Sequence, residues 1–253
     1  ASFNERRAMT IEILPDHLRP CSSHFRDGVP SHLGRRYDSS GRFLTERGNT
    51  VVCHLASGSE SERAIAAARQ RYLETAEAQN LAFTAETSLH MTLFKGIIDS
   101  RRERPFWAHD VPVETPVDDM TAIFIDRLAG FEPGPVFQME VTHATPLGLV
   151  LDGVSMKDRA ALKAWRDRLS DLLGYRHPDH DAYVFHITFA YMLRYFDDAE
   201  ILRWQPFLDQ IVADIRQRAP IIELKAPAFC AFDDMNHFEE LLVFSPETLP
   251  PAV

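Results

Sequence analysis

The sequence predicts an α+β fold built on a repeated plan, and three observations predict it. Short strand-like runs alternate with helical stripes along the whole chain. The same tripeptide pattern, His-apolar-Thr, occurs once in each half. Composition is that of a globular protein: 253 residues, 45% hydrophobic and 25% charged, enough chain to bury a substantial core.

The elements follow in order. Residues 1–47 are rich in Pro, Arg, Ser and Gly and are expected to wrap the surface as an N-terminal extension; residues 48–253 are expected to form one domain. Val51 to Leu55 reads as a strand. Ser59 and Glu62 have capping-box spacing, and Ile65, Ala68, Tyr72 and Ala76 give a helical stripe to about Glu77. Leu81 to Phe94 returns as strand, bent near Glu86. A loop with three prolines covers 101–117. Asp118 or Asp119 then caps a helix marked by Met120, Phe124 and Leu128 and ended by Gly130.

The second half repeats the theme. Phe137, Met139 and Val141 alternate as a strand, Ala144-Thr145-Pro146 turns, and Leu147 to Leu151 is strand again. Leu162, Trp165, Leu169 and Leu172 mark an amphipathic helix ended by Gly174. Tyr183 to Leu193 is a strand. Ile201 to Ile215 is helical, and Pro206 predicts a kink or two pieces. Ile221 to Phe232 and Leu241 to Phe244 close the domain as strands.

The chemistry lies in the repeated tripeptide. One copy sits in Ser88-Leu89-His90-Met91-Thr92-Leu93-Phe94, the other in Tyr183-Val184-Phe185-His186-Ile187-Thr188-Phe189. Strand side chains alternate faces, so each His shares a face with its Thr while apolar neighbours point to the core. A single such pattern is common in satisfied, half-buried strands; two with the same facing are far less easily accidental. Two imidazoles around one cavity suit phosphodiester cleavage: one takes a proton from water, the other gives one to the leaving oxygen. The hydroxyls of Thr92 and Thr188 can donate to phosphate oxygens. Neither metal nor cofactor is needed.

These paired motifs resemble the signature of the 2H phosphoesterase superfamily, which includes 2′–5′ RNA ligase-like proteins and cyclic nucleotide phosphodiesterases. Gly41-Arg42-Phe43-Leu44, followed by Gly48-Asn49-Thr50-Val51-Val52-Cys53-His54-Leu55, looks like a largely uncharacterised bacterial branch. The resemblance runs from about Gly48 to about Phe244. It implies a bilobal, duplicated fold, with two antiparallel sheets flanking a central cleft and helices outside. It also implies His90 and His186 as catalytic pair, Thr92 and Thr188 as phosphate ligands, and a metal-independent phosphodiesterase acting on a cyclic phosphate. In the resembling enzymes the first-motif His tends to be the acid and the second-motif His the base.

Other residues are weighed against blander readings. Lys95 follows the first motif on the parity opposite His90, and Tyr191 lies opposite His186 by simple alternation. Both are candidate substrate contacts, Tyr191 only if a bulge re-aims it. His177-Pro178-Asp179-His180-Asp181 looks like a metal cluster, yet nothing completes a site, so a structural role is expected. Arg101-Arg102-Glu103-Arg104 and Arg35-Arg36 are local basic clusters; the former follows the first motif closely and could flank the cavity, but a solvated loop is expected. His54 is expected as core or wall, and His143 ends a strand and could border either.

Net charge is −10, which excludes a broad basic surface for duplex nucleic acid and favours a small nucleotide or an RNA end carrying a cyclic phosphate. No apolar stretch reaches membrane-span length. Three scattered cysteines make neither a zinc pattern nor a disulfide framework, so a cytoplasmic setting is expected. Phosphate-loop, dinucleotide and α/β-hydrolase motifs are missing. A non-catalytic nucleotide- or RNA-binding module using the same cleft, and a metal-dependent hydrolase, are the alternatives.

Overall fold

The computed structural model describes residues 11–245. Nine strands are named among them: β1 Gly48–His54, β2 Leu81–Phe83, β3 His90–Ile98, β4 Met139–Thr145, β5 Gly148–Gly153, β6 Phe185–Thr188, β7 Ala190–Met192, β8 Ala228–Phe232 and β9 Glu239–Val243. Four long helices accompany them: α1 Glu60–Leu73, α2 Val117–Leu128, α3 Met156–Leu173 and α4 Asp198–Arg218. The fold is α+β. Seven strands form one antiparallel sheet in the order β4-β5-β6-β3-β1-β8-β9, and β2 pairs with β7 apart from it.

Two separate sheets were expected; the structure joins the two halves edge to edge. The junction is narrow, a single Met91↔Ile187 pairing between β3 and β6. Both residues are fully buried, so apolar side chains at the seam hold it together beneath the sheet.

The two faces of the sheet have different fates. Val51, Cys53, Met91, Leu93, Phe185 and Ile187 join a large core with α1 to α4. On the opposite face, Val52, Ala228, Cys230, Phe232, Met235 and Phe238 make a second, smaller apolar cluster. This alternation along β1 is the strand period of two. The N-terminal extension does more than wrap the surface: Ile11, Leu14, Leu18 and Cys21 belong to the large core. Residues 1–10 lie outside the described residues.

Local chemistry explains most boundaries. Ser59 accepts from the Glu62 amide to start α1, but Glu62 reaches the Gly58 amide rather than that of Ser59. The helix stops at Leu73, and a 3-10 turn at Ala76–Asn80 replaces the expected extra turn. Pro116, not Asp118 or Asp119, caps α2. Gly174, at φ 83°, ends α3 in the left-handed conformation that glycine tolerates. Pro206 sits inside one helix, α4, instead of dividing it. Capping by Asp197 and Glu200 and burial of Ile201, Trp204, Leu208, Ile211 and Ile215 hold α4 across the lost amide. The segment before β8 is interrupted by Pro227, so Ile222 and Leu224 make isolated bridges only. No helix among the described residues is long and apolar enough to cross a membrane.

Candidate functional site

The two motifs meet because β3 and β6 are antiparallel neighbours. Extending the Met91↔Ile187 pairing by one residue each way sets His90 opposite Thr188, and Thr92 opposite His186. Met91 and Ile187 point to the core, so the four polar side chains point the other way. Each histidine thus faces the threonine of the other motif. The two imidazoles are diagonal neighbours, whose Cα atoms are typically about 7–8 Å apart, room for one tetrahedral anion. All four line one cleft of about 330 Å³.

The hydroxyls of Thr92 and Thr188 make no hydrogen bond among the described residues, and neither does the His186 ring; all three are free for a ligand. His90 is held: its Nδ1 lies 2.6 Å from the Ser88 carbonyl. That geometry requires a proton on Nδ1 and leaves Nε2 for the cleft. The His90 ring packs on Phe238 at 4.2 Å and edge-on to His54 at 5.8 Å.

Burial pushes the His90 pKa down to about 4, with the Ser88 carbonyl pulling the other way and His54 adding slightly to the fall. Enclosure by the cleft walls, then the Lys95 charge, pushes His186 down to about 4. The His186 side chain nonetheless keeps an edge open to water. In the protein by itself both imidazoles are neutral at pH 7.

Lys95 and Tyr191 also line the cleft. Simple alternation puts Lys95 on the far face. A register shift against β1 corrects this: Val51 pairs with Phe94 but Val52 with Thr92, so Leu93 is an extra residue. This bulge turns Lys95 to the side of His90 and Thr92. Its ammonium stands 5.3 Å over the Tyr183 ring and 3.9 Å from Asp179. Tyr191 is re-aimed by a break at Phe189, whose amide bonds to the Leu147 carbonyl at 2.7 Å. The chain thereby leaves the large sheet for β7. Tyr191 stacks on Tyr37 at 5.6 Å and accepts from Arg36 Nη1 at 3.3 Å.

Sequence reasoning did not place His32, Arg36, Thr84, Met235 or Phe238 in the cleft, where they stand. Only Arg36, in the Arg35-Arg36 pair, carried a signal. Arg36 is fixed by Glu46 at 2.7 Å. Burial and the Arg36 and Arg35 charges lower His32 to about 4.

Other candidates fall elsewhere. A larger cavity, about 680 Å³, lies beyond Phe238 and is walled by His54, Lys225, His237 and Glu240. Its charges are mutually engaged: Glu240 takes His54 at 3.2 Å and Lys225 at 2.8 Å. Neither His-x-Thr motif lines it, so the smaller cleft is the stronger candidate. His143 is on β4 against His17 at 4.4 Å, away from the cleft. The histidine-rich loop is built in: His177 and His180 are buried, and His180 Nε2 meets Asp167 at 2.8 Å. Asp167, His180 and Asp181 have their ligand atoms within 4.8 Å of one another, but Lys163 and Arg176 reach both carboxylates.

A cleft flanked by two His-x-Thr strands of one antiparallel sheet defines a class, the two-histidine phosphoesterases, and comparison with known proteins agrees. Residues 36–150 match the family 2H-phosphodiest, described as a domain of unknown function (DUF1868). That span includes His90, Thr92 and Lys95 and ends before His186. The chain is 47% identical to a solved structure from Agrobacterium tumefaciens, titled a conserved protein of unknown function, ATU0111. The match covers 92% of this chain and 100% of that one, with a TM-score of 0.90. No curated protein matches. The chain belongs to the 2H-phosphodiesterase family (DUF1868).

Proposed function

We propose that the protein is a metal-independent phosphodiesterase that opens a cyclic phosphate on a nucleotide, an RNA end or a related small molecule. The observation that carries this reading is that His90, His186, Thr92 and Thr188 share one cleft. The phosphate sits between the imidazoles, its non-bridging oxygens on the two threonine hydroxyls. His186 takes a proton from water as the water oxygen attacks phosphorus. The bond to the leaving oxygen breaks, and His90 Nε2 gives that oxygen its proton. The product is a phosphomonoester with a free hydroxyl, and the two histidines have exchanged protonation states. The Ser88 carbonyl supports His90 as the acid, since it stabilises the imidazolium through Nδ1.

Both imidazoles are neutral in the protein by itself, so the acid must be charged by the substrate. One unit negative charge about 4 Å away contributes about 4 kcal/mol at an effective dielectric of 20. That is roughly three pKa units, enough to bring His90 from about 4 to near neutrality.

The role assignment is tested with two phosphodiesters, one with a poor alkoxide leaving group and one with nitrophenolate, which leaves without a proton. His90→Ala should lose about 10² to 10⁴-fold on the first and recover much of that on the second. His186→Ala should be slow on both. Rescue of His186→Ala instead would reverse the roles. Turnover should survive exhaustive chelation; loss with EDTA and recovery with zinc would favour a metal hydrolase.

A further inference from the structure

The Arg-Arg-Glu-Arg run after β3 contains one arginine unlike its neighbours. Arg102 is spent on Asp99 at 2.9 Å and on the carbonyls of Val113 and Thr115 at 2.8 and 2.7 Å. Arg104 bonds the carbonyls of His109 and Val111, each at 3.2 Å. Arg101 has no ion pair and no side-chain hydrogen bond among the described residues. Its Nε and Nη2 are buried without a partner, and Nη1 is the edge left to solvent. The guanidinium lies 4.3 Å over the Phe106 ring. His177 stands against the same ring at 5.0 Å, its Nε2 also buried and unpartnered.

The surroundings are cationic. Arg101 acts electrostatically on Lys95, Arg36, Arg35 and His177, opposing the charge on each. Two carboxylates offset this group. Glu46 serves Arg36 at 2.7 Å and Arg35 at 3.8 Å; Asp179 is 3.9 Å from Lys95. Arg166 also opposes the charge on Lys95 and His177 and draws on Asp179 and Asp167, so cations outnumber carboxylates here, in a protein whose net charge is −10. Desolvating like charges without counter-ions is costly, and an arriving anion would relieve it.

We propose that Arg101, together with Lys95 and Arg36 of the cleft wall, forms a second anion subsite that takes a further phosphate of the substrate, distinct from the one being cleaved. This rests on the phosphodiesterase reading of the cleft and narrows its substrate: a cyclic phosphodiester that carries another phosphate, such as one on the 5′ carbon. Thr92 and Lys95 are three residues apart on β3 across the Leu93 bulge, at most roughly 10 Å along the chain, a span a nucleotide's sugar can bridge. The open Nη1 edge of Arg101 can donate a charge-assisted hydrogen bond to a phosphate there, with the Lys95 ammonium beside it.

The test compares binding of a nucleoside 2′-phosphate with that of the 2′,5′-bisphosphate by calorimetry. The wild-type protein should bind the bisphosphate at least about tenfold more tightly, the scale of one charge-assisted contact. Arg101→Met should erase most of that gain and leave the monophosphate unchanged; Arg101→Lys should keep part of it. Equal affinities in the wild type, or equal weakening of both ligands by Arg101→Met, would overturn the proposal. A second arm is independent of the catalytic reading: inorganic phosphate is titrated while the His177 ring is followed by NMR. Phosphate should raise the His177 pKa in the wild type and not in Arg101→Met, even if the nucleoside monophosphate fails to bind. An unmoved His177 would overturn the subsite. A response to free phosphate without any gain for the bisphosphate would mean an adventitious ion only and would overturn its role in substrate binding.

Discussion

Adding an anion to the cleft should make the protein take up a proton. In the protein by itself the walls of the cleft lower His90 and His186 to about 4. A bound anion opposes the burial that lowers them. With one unit charge about 4 Å away the rise is roughly three units, so the better-placed imidazole moves from about 4 to about 7. Between those two values, binding and protonation are linked: affinity grows as pH falls, by up to tenfold per unit for one proton. Above about pH 7 and below about pH 4 the dependence flattens. Sulfate is the right probe, because its charge does not change across this range. Its affinity should be measured by calorimetry from pH 4.5 to 8.5, in buffers of different ionisation heat to count the protons. His90→Ala and His186→Ala should each reduce the uptake. His32, also held near 4 and in the same cleft, needs a His32→Asn control. Affinity that is flat across the window, with no proton taken up, would refute the claim that substrate charges the general acid.

Two further outcomes follow from the same geometry. His32, His90 and His177 have lowered folded-state pKa values of about 4, against about 6.5 when unfolded. The unfolded chain therefore binds more protons between pH 6.5 and 4, and the melting temperature of the ligand-free protein should fall as pH drops through that window; a melting temperature that is constant or rising there would contradict the burial of these rings. Gly96→Ala should destabilise the protein by about 1–3 kcal/mol, because a Cβ at Gly96 would stand 2.0 Å from the Asn49 carbonyl oxygen across the β1–β3 pairing. Denaturant unfolding checks it, and an unchanged midpoint would show that the strands can part at no cost.

How much of this was legible in the sequence depends on the range of the cause. The His-Thr pairs could be read because facing within a strand needs only a period of two. Most helices and strands were visible for the same reason. Lys95 could not be assigned its face, because the Leu93 bulge is created by the register of β3 against β1, which lies far off in the sequence. Tyr191 was hidden by a break at Phe189 that depends on the Leu147 carbonyl. His32 and Arg36 come from an irregular segment whose path is set by tertiary contacts such as Arg36 to Glu46. The joining of both halves into one sheet rests on a single β3–β6 pairing, which no local pattern announces. Arg101 illustrates the limit most sharply: beside Arg102 and Arg104 it looks like one more solvated charge, and only the surrounding fold leaves it without a partner.

The central claim is that two histidines in one cleft cleave a phosphodiester. Its most direct measurement is turnover of 2′,3′-cyclic nucleotides, with and without a 5′-phosphate, together with ADP-ribose cyclic phosphate and 2′–5′-linked oligonucleotides, by the wild type, His90→Ala, His186→Ala and the double variant. The account predicts hydrolysis of at least one cyclic phosphate by the wild type. Each single substitution should lower the rate by about 10² to 10⁴-fold, and the double variant should lose much less than the product of the two, since the pair acts as a unit. Turnover of a cyclic phosphate that both single variants retain in full would contradict it.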